Sequence, residues 1–331
     1  MNSRRIGEFD LIERFFAPLA TDASGAFSLK DDAALLAPLA HGQAWAITTD
    51  MMVEGRHWLV GSDGGQVAGK LLRVNLSDLA AMGAKPKFYT LALALSDAVD
   101  DNWVQAFASG LGAGQKQFSV TLIGGDTVAT PGPVTATLTA MGVVNRGMEL
   151  RRSGAGEGDG VFVTGTIGDG ALGLALLRGE LDEPSAKAKE HLVRRHQLPD
   201  PRTEIGPALA GVASACVDIS DGLVQDLGHI ASTSGVAIHI NANAVPLSKA
   251  AREILIANPK HMETVLSGGD DYELAFTAPK HAEIEIAELA EKTGVPIEKI
   301  GSVEMQSSKR VVVFDANDQD ITPKKGGFSH F

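Results

Sequence analysis

Aspartates recur where apolar segments of this chain meet turns. They are Asp31 and Asp32 in KDDAALL, Asp50 in ITTDMMVEG, Asp78 in VNLSDLAAMGA and Asp126 in LIGGDT. The second half adds Asp218 and Asp221 in VDISDGL, and Asp270 with Asp271 in SGGDDYEL. Singly, each has a structural reading: Asp221 or Ser220 can cap the helix that follows, and Gly-Gly-Asp is a common turn. Carboxylates gathered at one site are different, because they repel one another and retain protons unless cations neutralise them. Magnesium suits such a set, since it takes oxygen ligands, keeps some waters and bridges carboxylates to substrate phosphates. Thr48 and Thr49 offer further oxygens beside Asp50. The expectation is a nucleoside triphosphate held through metals rather than lysines.

Two other motifs point to phosphate. GGQVAGKL, residues 64–71, matches a P-loop except at Leu71, where a hydroxyl should hold magnesium. The polar, Gly-rich lead-in GRHWLVGSDG supplies no strand before it, so the stretch reads as helix. Lys70 then belongs to a polar helix face or reaches a nearby site. VFVTGTIGDGALG spaces Gly168, Gly170 and Gly173 as a dinucleotide fingerprint, but RGELDEPSAKAKEHLVRR follows in place of a second strand. A tight strand-to-helix turn accounts for these glycines, with phosphate at that helix N-terminus left open.

The elements that must position these residues follow from periodicity. GEFDLIERFF is an amphipathic helix candidate, and AWAITTD is a short strand ending at Asp50. Val67, Leu71 and Val74 recur at helical spacing between Gln66 and Met82, and Gly83 supplies the stop. KFYTLALAL, SVTLI and PVTATLTAMGVV have strand composition, with a helix near NWVQAFASGLGAG between the first two. Apolar content falls over residues 145–160, which sets domains of 1–150 and 151–331. The second half restarts with the strand VFVTG and a helix around ALGLALL. Its charged stretch 178–202 is either an exposed helix or a mobile connection, and ACVDIS, AIHI, LAFTA and RVVVF are further strands. This alternation argues for a mixed α/β or α+β fold in both halves.

Composition narrows the function classes. With 44% apolar and 21% charged residues the chain is that of a soluble globular protein, and runs such as FYTLALAL fall short of a membrane span. MNSRRIGEF lacks the apolar core of a secretory signal, and a single cysteine, Cys216, suits a reducing, cytoplasmic compartment. A net charge of −12 disfavours nucleic acid and anionic membranes as partners, and an anionic substrate on such a surface needs bridging cations.

Taken in order, GEFDLI, KDDAAL, TTDMMVEGRH, VNLSDLAAMGA, IGGDT, RRSGAGEGD, VDISDGLVQDLGH, SGGDDYEL and GFSHF closely resemble the thiamine-monophosphate kinase family. That family lies in the superfamily of aminoimidazole ribonucleotide synthetase. The resemblance implies a two-domain α/β (α+β mixed) protein, a homodimer joined through its N-terminal sheet domain, and an active site in the interdomain cleft with several magnesium ions. It implies direct in-line transfer of the γ-phosphate of ATP to thiamine monophosphate (TMP), giving thiamine diphosphate and ADP with no side-chain nucleophile. By the same resemblance Asp32, Asp50, Asp78, Asp126 and Asp218 are metal ligands assisted by Thr48 and Thr49, with Asp221 a further one and Asp31 a neighbour. Gly125, Asp126, Arg152 and Ser220 match nucleotide-binding positions; His57, Asp270 and Phe328 match substrate contacts. The family usually has Glu where this chain has Asp270, one methylene shorter, and often Trp or Tyr where it has Phe328. Read alone, His57 is equally a surface histidine after a strand, and Phe328 a core plug. A synthetase of the same superfamily and a non-catalytic nucleotide- or metal-binding scaffold are the competing readings.

Overall fold

The structure, a computed structural model, describes residues 6–306 and 310–328, so the closing Ser329, His330 and Phe331 of GFSHF lie outside the described residues. Two compact units make up the chain, Met1–Leu79 with Ala84–Arg146, and Ala80–Gly83 with Gly147–Phe331.

The first unit holds a four-stranded sheet of β1 (Gln43–Val53), β2 (Lys85–Leu95), β3 (Thr121–Ala129) and β4 (Thr135–Asn145), in the order β1-β4-β2-β3. β4 runs antiparallel to both β1 and β2, while β2 and β3 are parallel. A parallel pair needs a crossover, and the Asp101–Phe118 helix supplies it. The helix expected over 66–82 spans Gly64–Ala81 and ends before Gly83, whose φ of +68° suits glycine. It is buried on nearly every side: Leu71, Leu72, Leu76 and Leu79 are inaccessible, and Lys70 is only 5% exposed. Lys70 is therefore not part of a polar helix face.

The glycines of the P-loop look-alike have a packing role. A Cβ on Gly64 would lie 2.3 Å from the Trp103 carbonyl, and one on Gly110 would lie 2.4 Å from the Gly65 carbonyl. The two helices thus meet where neither carries a side chain. The helix N-terminus is already served, since Asp63 Oδ1 accepts the Gln66 N–H at 3.1 Å. At the start of the chain, Leu11, Phe15 and Phe16 are buried as the amphipathic spacing predicts. The segment is not one α-helix, however: it passes from α (Glu8–Leu11) through a π turn (Ile12–Phe16) to a 3-10 turn (Ala17–Ala20). Pro18, which has no N–H to give an α-helical ladder, sits in that last turn.

The second unit is built on six strands: β5 (Gly160–Thr164), β6 (Ala215–Asp218), β7 (Ala237–Asn241), β8 (Leu274–Ala278), β9 (Ile297–Glu304) and β10 (Val311–Phe314). Their order is β10-β7-β9-β5-β8-β6, antiparallel except for β10 with β7. Both faces are covered, which explains the unbroken apolar run VFV. Val161 and Val163 join one core cluster with Leu172, Leu192, Leu227 and Ile230, while Phe162 points into another and stacks on Phe276 at 5.4 Å. The charged stretch 178–202 contains the helix Ala186–Gln197, in which Leu192, Arg195 and His196 are buried, so it is neither a wholly exposed helix nor a bare connection.

Candidate active site

In the first unit the expected ligands sort by strand alternation. Side chains two apart on β1 share a face, so Thr48 and Asp50 point one way and Thr49 the other. Thr48 Oγ1 donates to Asp78 Oδ2 at 2.5 Å, and the Asp50 N–H donates to Asn75 Oδ1 at 3.1 Å. Asn75 and Asp78 lie one turn apart on the Gly64–Ala81 helix, and Asn75 is steadied by its own bond to the Leu71 carbonyl. Burial, and then the neighbouring charge of Asp78, push the Asp50 carboxyl up to about 7. Thr49 instead pairs its hydroxyl with that of Thr139 on β4.

The other first-unit candidates lie apart in the structure's elements. Gly125 and Asp126 sit on β3, where Gly125 is opposite Leu91 and a Cβ on it would fall 2.0 Å from the Leu91 carbonyl. No other residue fits there, and Asp126 beside it is exposed. Asp31 and Asp32 occupy an exposed bend. His57 closes the turn after β1, its Nδ1 accepting the Val53 N–H at 3.0 Å, which places the neutral ring's proton on Nε2. Among the described residues no three or more His, Cys, Asp and Glu gather as a metal cluster. What does meet is an all-oxygen set of two carboxylates and a hydroxyl, which matches the preference of a hard divalent cation and would lose its repulsion on binding one.

In the second unit the candidates converge on one loop. Asp218 is buried at the end of β6; burial, and then the charge of Asp218, drive the Cys216 thiol well above its usual range, leaving it a packing residue. Asp226 Oδ2 then accepts the N–H groups of Ser220, Asp221 and Gly222 at 3.0, 3.0 and 3.1 Å. Burial, then Asp221, push the Asp226 carboxyl up to about 7 against those three bonds. The carbonyls of the same loop reach the acceptor-side candidates: Ser220 O accepts the Asp270 N–H at 2.8 Å, and Asp221 O accepts the Phe328 N–H at 2.9 Å. Phe328 is 39% exposed, hence no core plug. Arg152 is exposed; its carbonyl is held by Thr233 at 2.9 Å and Ser234 at 3.3 Å. Burial and then Arg152 lower the proton affinity of His229, with Asp221 opposing, so one helix residue senses both charges.

The GGDDYEL segment is held from behind. Asp270 and Tyr272 have positive φ, +64° and +53°, an unusual backbone for side-chain-bearing residues. Asp270 Oδ2 lies 3.1 Å from His196 Nδ1, and Oδ1 accepts the Tyr272 hydroxyl at 3.1 Å. Asp271 turns inward, accepting the N–H groups of Gly168 at 2.8 Å and Gly170 at 3.1 Å. The N-terminus of the Asp169–Leu177 helix, where phosphate was left open, is thus filled by this carboxylate. Glu273, fully buried, accepts from Thr164 Oγ1 at 2.6 Å, Arg195 Nη2 at 2.9 Å and Arg202 Nε at 2.5 Å, with Arg202 Nη2 as a second contact.

These features have counterparts in known proteins. The AIR synthase related protein, N-terminal domain family matches residues 30–144, and its C-terminal domain family matches residues 156–314. Thiamine-monophosphate kinase of Salmonella typhimurium is 40% identical over 98% of both chains. The chain belongs to the thiamine-monophosphate kinase family. The crystal structure of the Stenotrophomonas maltophilia K279a thiamine-monophosphate kinase superposes with a TM-score of 0.82 at 40% identity, covering 93% of this chain and 96% of that one. A second relative, AaThiL complexed with AMPPCP and TMP, has a TM-score of 0.77 at 31% identity over 98% and 97%.

Within the family assignment, several residues that build the site were not singled out by sequence. Asn75, His196, Gln225, Asp226, Glu273, Arg195 and Arg202 act on backbone or on other side chains. Two signals existed: Asp271 and Glu273 alternate in DDYEL, and Asp226 falls one helical turn beyond Gly222. Their distant partners, such as Thr164 and Arg195 for Glu273, had no local signature.

Proposed function

We propose that this chain transfers the terminal phosphoryl group of ATP to TMP, releasing thiamine diphosphate and ADP, in the cytoplasm. One observation carries the reading: a single loop, Ile219–Gly222, presents the nucleotide- and metal-side residues Ser220 and Asp221 while its carbonyls hold the acceptor-side residues Asp270 and Phe328. The relative bound to AMPPCP and TMP supports the same substrate pair.

The acceptor phosphate of TMP is already ionised near neutral pH, so a side-chain base or nucleophile is not needed, and positioning with charge compensation carries the catalysis. Thr48, Asp50 and Asp78 in one unit, and Asp218 and Asp221 in the other, would hold magnesium, with Asp32 and Asp126 as further oxygen donors. When bound, magnesium supplies positive charge against the phosphate oxygens. Arg152 adds a fixed positive charge for the nucleotide, with Gly125, Asp126 and Ser220 as further nucleotide contacts. The Phe328 ring offers a π face to the cationic thiazolium of TMP. Asp270, braced by His196 and Tyr272, and His57 orient the same substrate.

A homodimer through the first unit is part of the proposal. Ile47 and Met51 project from one face of β1 at 64% and 58% exposure, and Val128 on β3 is 51% exposed, apolar surface of the kind a second copy covers. The deciding assay measures ADP release with ATP, magnesium and either TMP or thiamine, with chromatography of the products. Thiamine diphosphate from TMP alone is expected. Folded protein that binds Mg-ATP yet forms no product from either acceptor would refute the kinase reading in favour of a synthetase.

A further inference from the structure

The loop Ile219–Gly222 has almost no backbone group left uncommitted. Its amides at 220, 221 and 222 converge on Asp226 Oδ2, and the Ile219 N–H donates to Glu273 O at 2.8 Å. Its carbonyls at 219, 220 and 221 accept from Tyr272, Asp270 and Phe328, at 2.8, 2.8 and 2.9 Å. Two of these neighbours are glycines because nothing larger fits. A Cβ on Gly269 would lie 2.3 Å from Ser220 O, and one on Gly327 would lie 2.6 Å from Gln225 Cβ and 2.7 Å from Asp221 O.

Against this backbone frame, one side chain makes a bond that the frame does not require. Gln225 Nε2 donates to Asp221 Oδ2 at 3.0 Å and to the Phe328 carbonyl at 2.9 Å. Phe328 is therefore gripped on both sides of its Cα, its N–H by the Asp221 carbonyl and its own carbonyl by Gln225. The same amide group fixes one oxygen of the Asp221 carboxylate. Gln225 is partly exposed on the Leu223–Ser234 helix and belongs to neither hydrophobic cluster of this unit, so its removal does not open the core.

We propose that Gln225 is a positioning residue that couples the two substrate sides: it ties Phe328, over the acceptor, to Asp221, on the nucleotide and metal side. A ligand that orders Asp221 orders Phe328 through this amide, and a ligand under Phe328 does the reverse, because coupling between two sites is reciprocal. The inference rests on the kinase reading for the identity of the two ligands, while the tether itself is a property of the chain.

The test compares the full chain with Gln225→Met, which keeps the length without an amide, and Gln225→Ala, which favours the helix. Initial rates at saturating ATP should show KM for TMP raised roughly tenfold, the scale of losing a hydrogen bond to a charged or ordered partner, while the affinity for AMPPCP measured without TMP stays within about twofold. AMPPCP should tighten TMP binding to the wild type in calorimetry and leave its affinity unchanged in both variants. Hydrogen exchange at the Phe328 amide should quicken in both variants at unaltered melting temperature. A merely structural role would move melting temperature, KM for TMP and AMPPCP affinity together. Wild-type KM for TMP, wild-type response to AMPPCP and wild-type exchange at Phe328 in the two variants would overturn the coupling. A wild type that makes no thiamine diphosphate would overturn the kinase reading instead, and the exchange measurement would still decide the tether.

Discussion

Replacing Glu273 by Gln should destabilise the second unit more than any single change at the site's exposed residues. The carboxylate is fully buried and receives Thr164, Arg195 and Arg202, and Arg195 itself is only 4% exposed. Gln keeps the volume but offers one acceptor oxygen and turns an NH2 toward a guanidinium, leaving the buried Arg195 with only Asp200, at 3.0 Å, as a carboxylate ion-pair partner among the described residues. Breaking a buried ion pair from one side costs about 3–5 kcal/mol. At roughly 2–4 °C of melting temperature per kcal/mol for a domain of this size, the shift is on the order of 10 °C. Arg202→Met should cost much less, because Glu273 keeps Arg195 and Thr164 as partners. Calorimetric melts of the three proteins, with KM for TMP measured alongside, decide the matter. A shift of Glu273→Gln below about 2 °C, or a larger one for Arg202→Met, would refute the claim that this carboxylate organises the 270–273 segment.

Three further outcomes follow from the same reading. Burial pushes the Asp271 carboxyl up to about 8, against the lowering effect of the Gly168 and Gly170 N–H groups. A folded value above the unfolded one means a contribution fully present below the ordinary value near 4 and lost as pH rises through about 8. The melting-temperature advantage of wild type over Asp271→Asn should therefore shrink between about pH 5 and pH 9, and an advantage that grows over that range would contradict the burial-dominated assignment. Asp126→Asn should lower turnover on the order of a hundredfold, the scale of removing one preorganised charge-compensating group, with an unaltered circular dichroism spectrum. Chelation of magnesium should abolish turnover in the wild type and its re-addition restore it; wild-type turnover in folded Asp126→Asn would remove that residue from the site.

The fold was legible where composition and pairing agree. Short apolar segments with Thr or aromatic residues became β2 and β8, the Val- and Thr-rich one became β4, and the Leu-rich period became the Gly64–Ala81 helix. β9, IEKIGSVE, was not, because its charges and central glycine oppose strand propensity and only its place between β7 and β5 decides the matter. There Gly301 is required by a neighbour, since a Cβ would fall 1.9 Å from the His239 carbonyl. The same limitation hid the meaning of both glycine motifs. Spacing records that a glycine is needed, while the reason lies in Trp103 and Gly110 for one motif and in Val265 and the Asp270 and Leu192 carbonyls for the other. The polar-face alternative for Lys70 failed for a related reason: a lone cation in an apolar helix reads as exposed unless the covering of its face is known.

The acidic residues make the distinction that matters for function, and it is a distinction of partners rather than of sequence. Asp221 and Asp226 stand in one motif, and Asp270 and Asp271 are adjacent, yet the members of each pair differ in chemistry. Asp226 and Asp271 each accept backbone N–H groups, and Asp169 accepts Thr166, His191 and Ser248, so these carboxylates are consumed in shaping the chain. For Asp169, the three side-chain bonds outweigh burial and lower its proton affinity. Asp50 lies elsewhere, on β1, where burial, and then the charge of the neighbouring carboxylate Asp78, raise its proton affinity. Two carboxylates held close repel one another, and a divalent cation from solution would offset that repulsion. The acidic residues thus divide into those spent on helix ends and loops, such as Asp226 and Asp271, and those proposed to hold magnesium, such as Asp50 and Asp78.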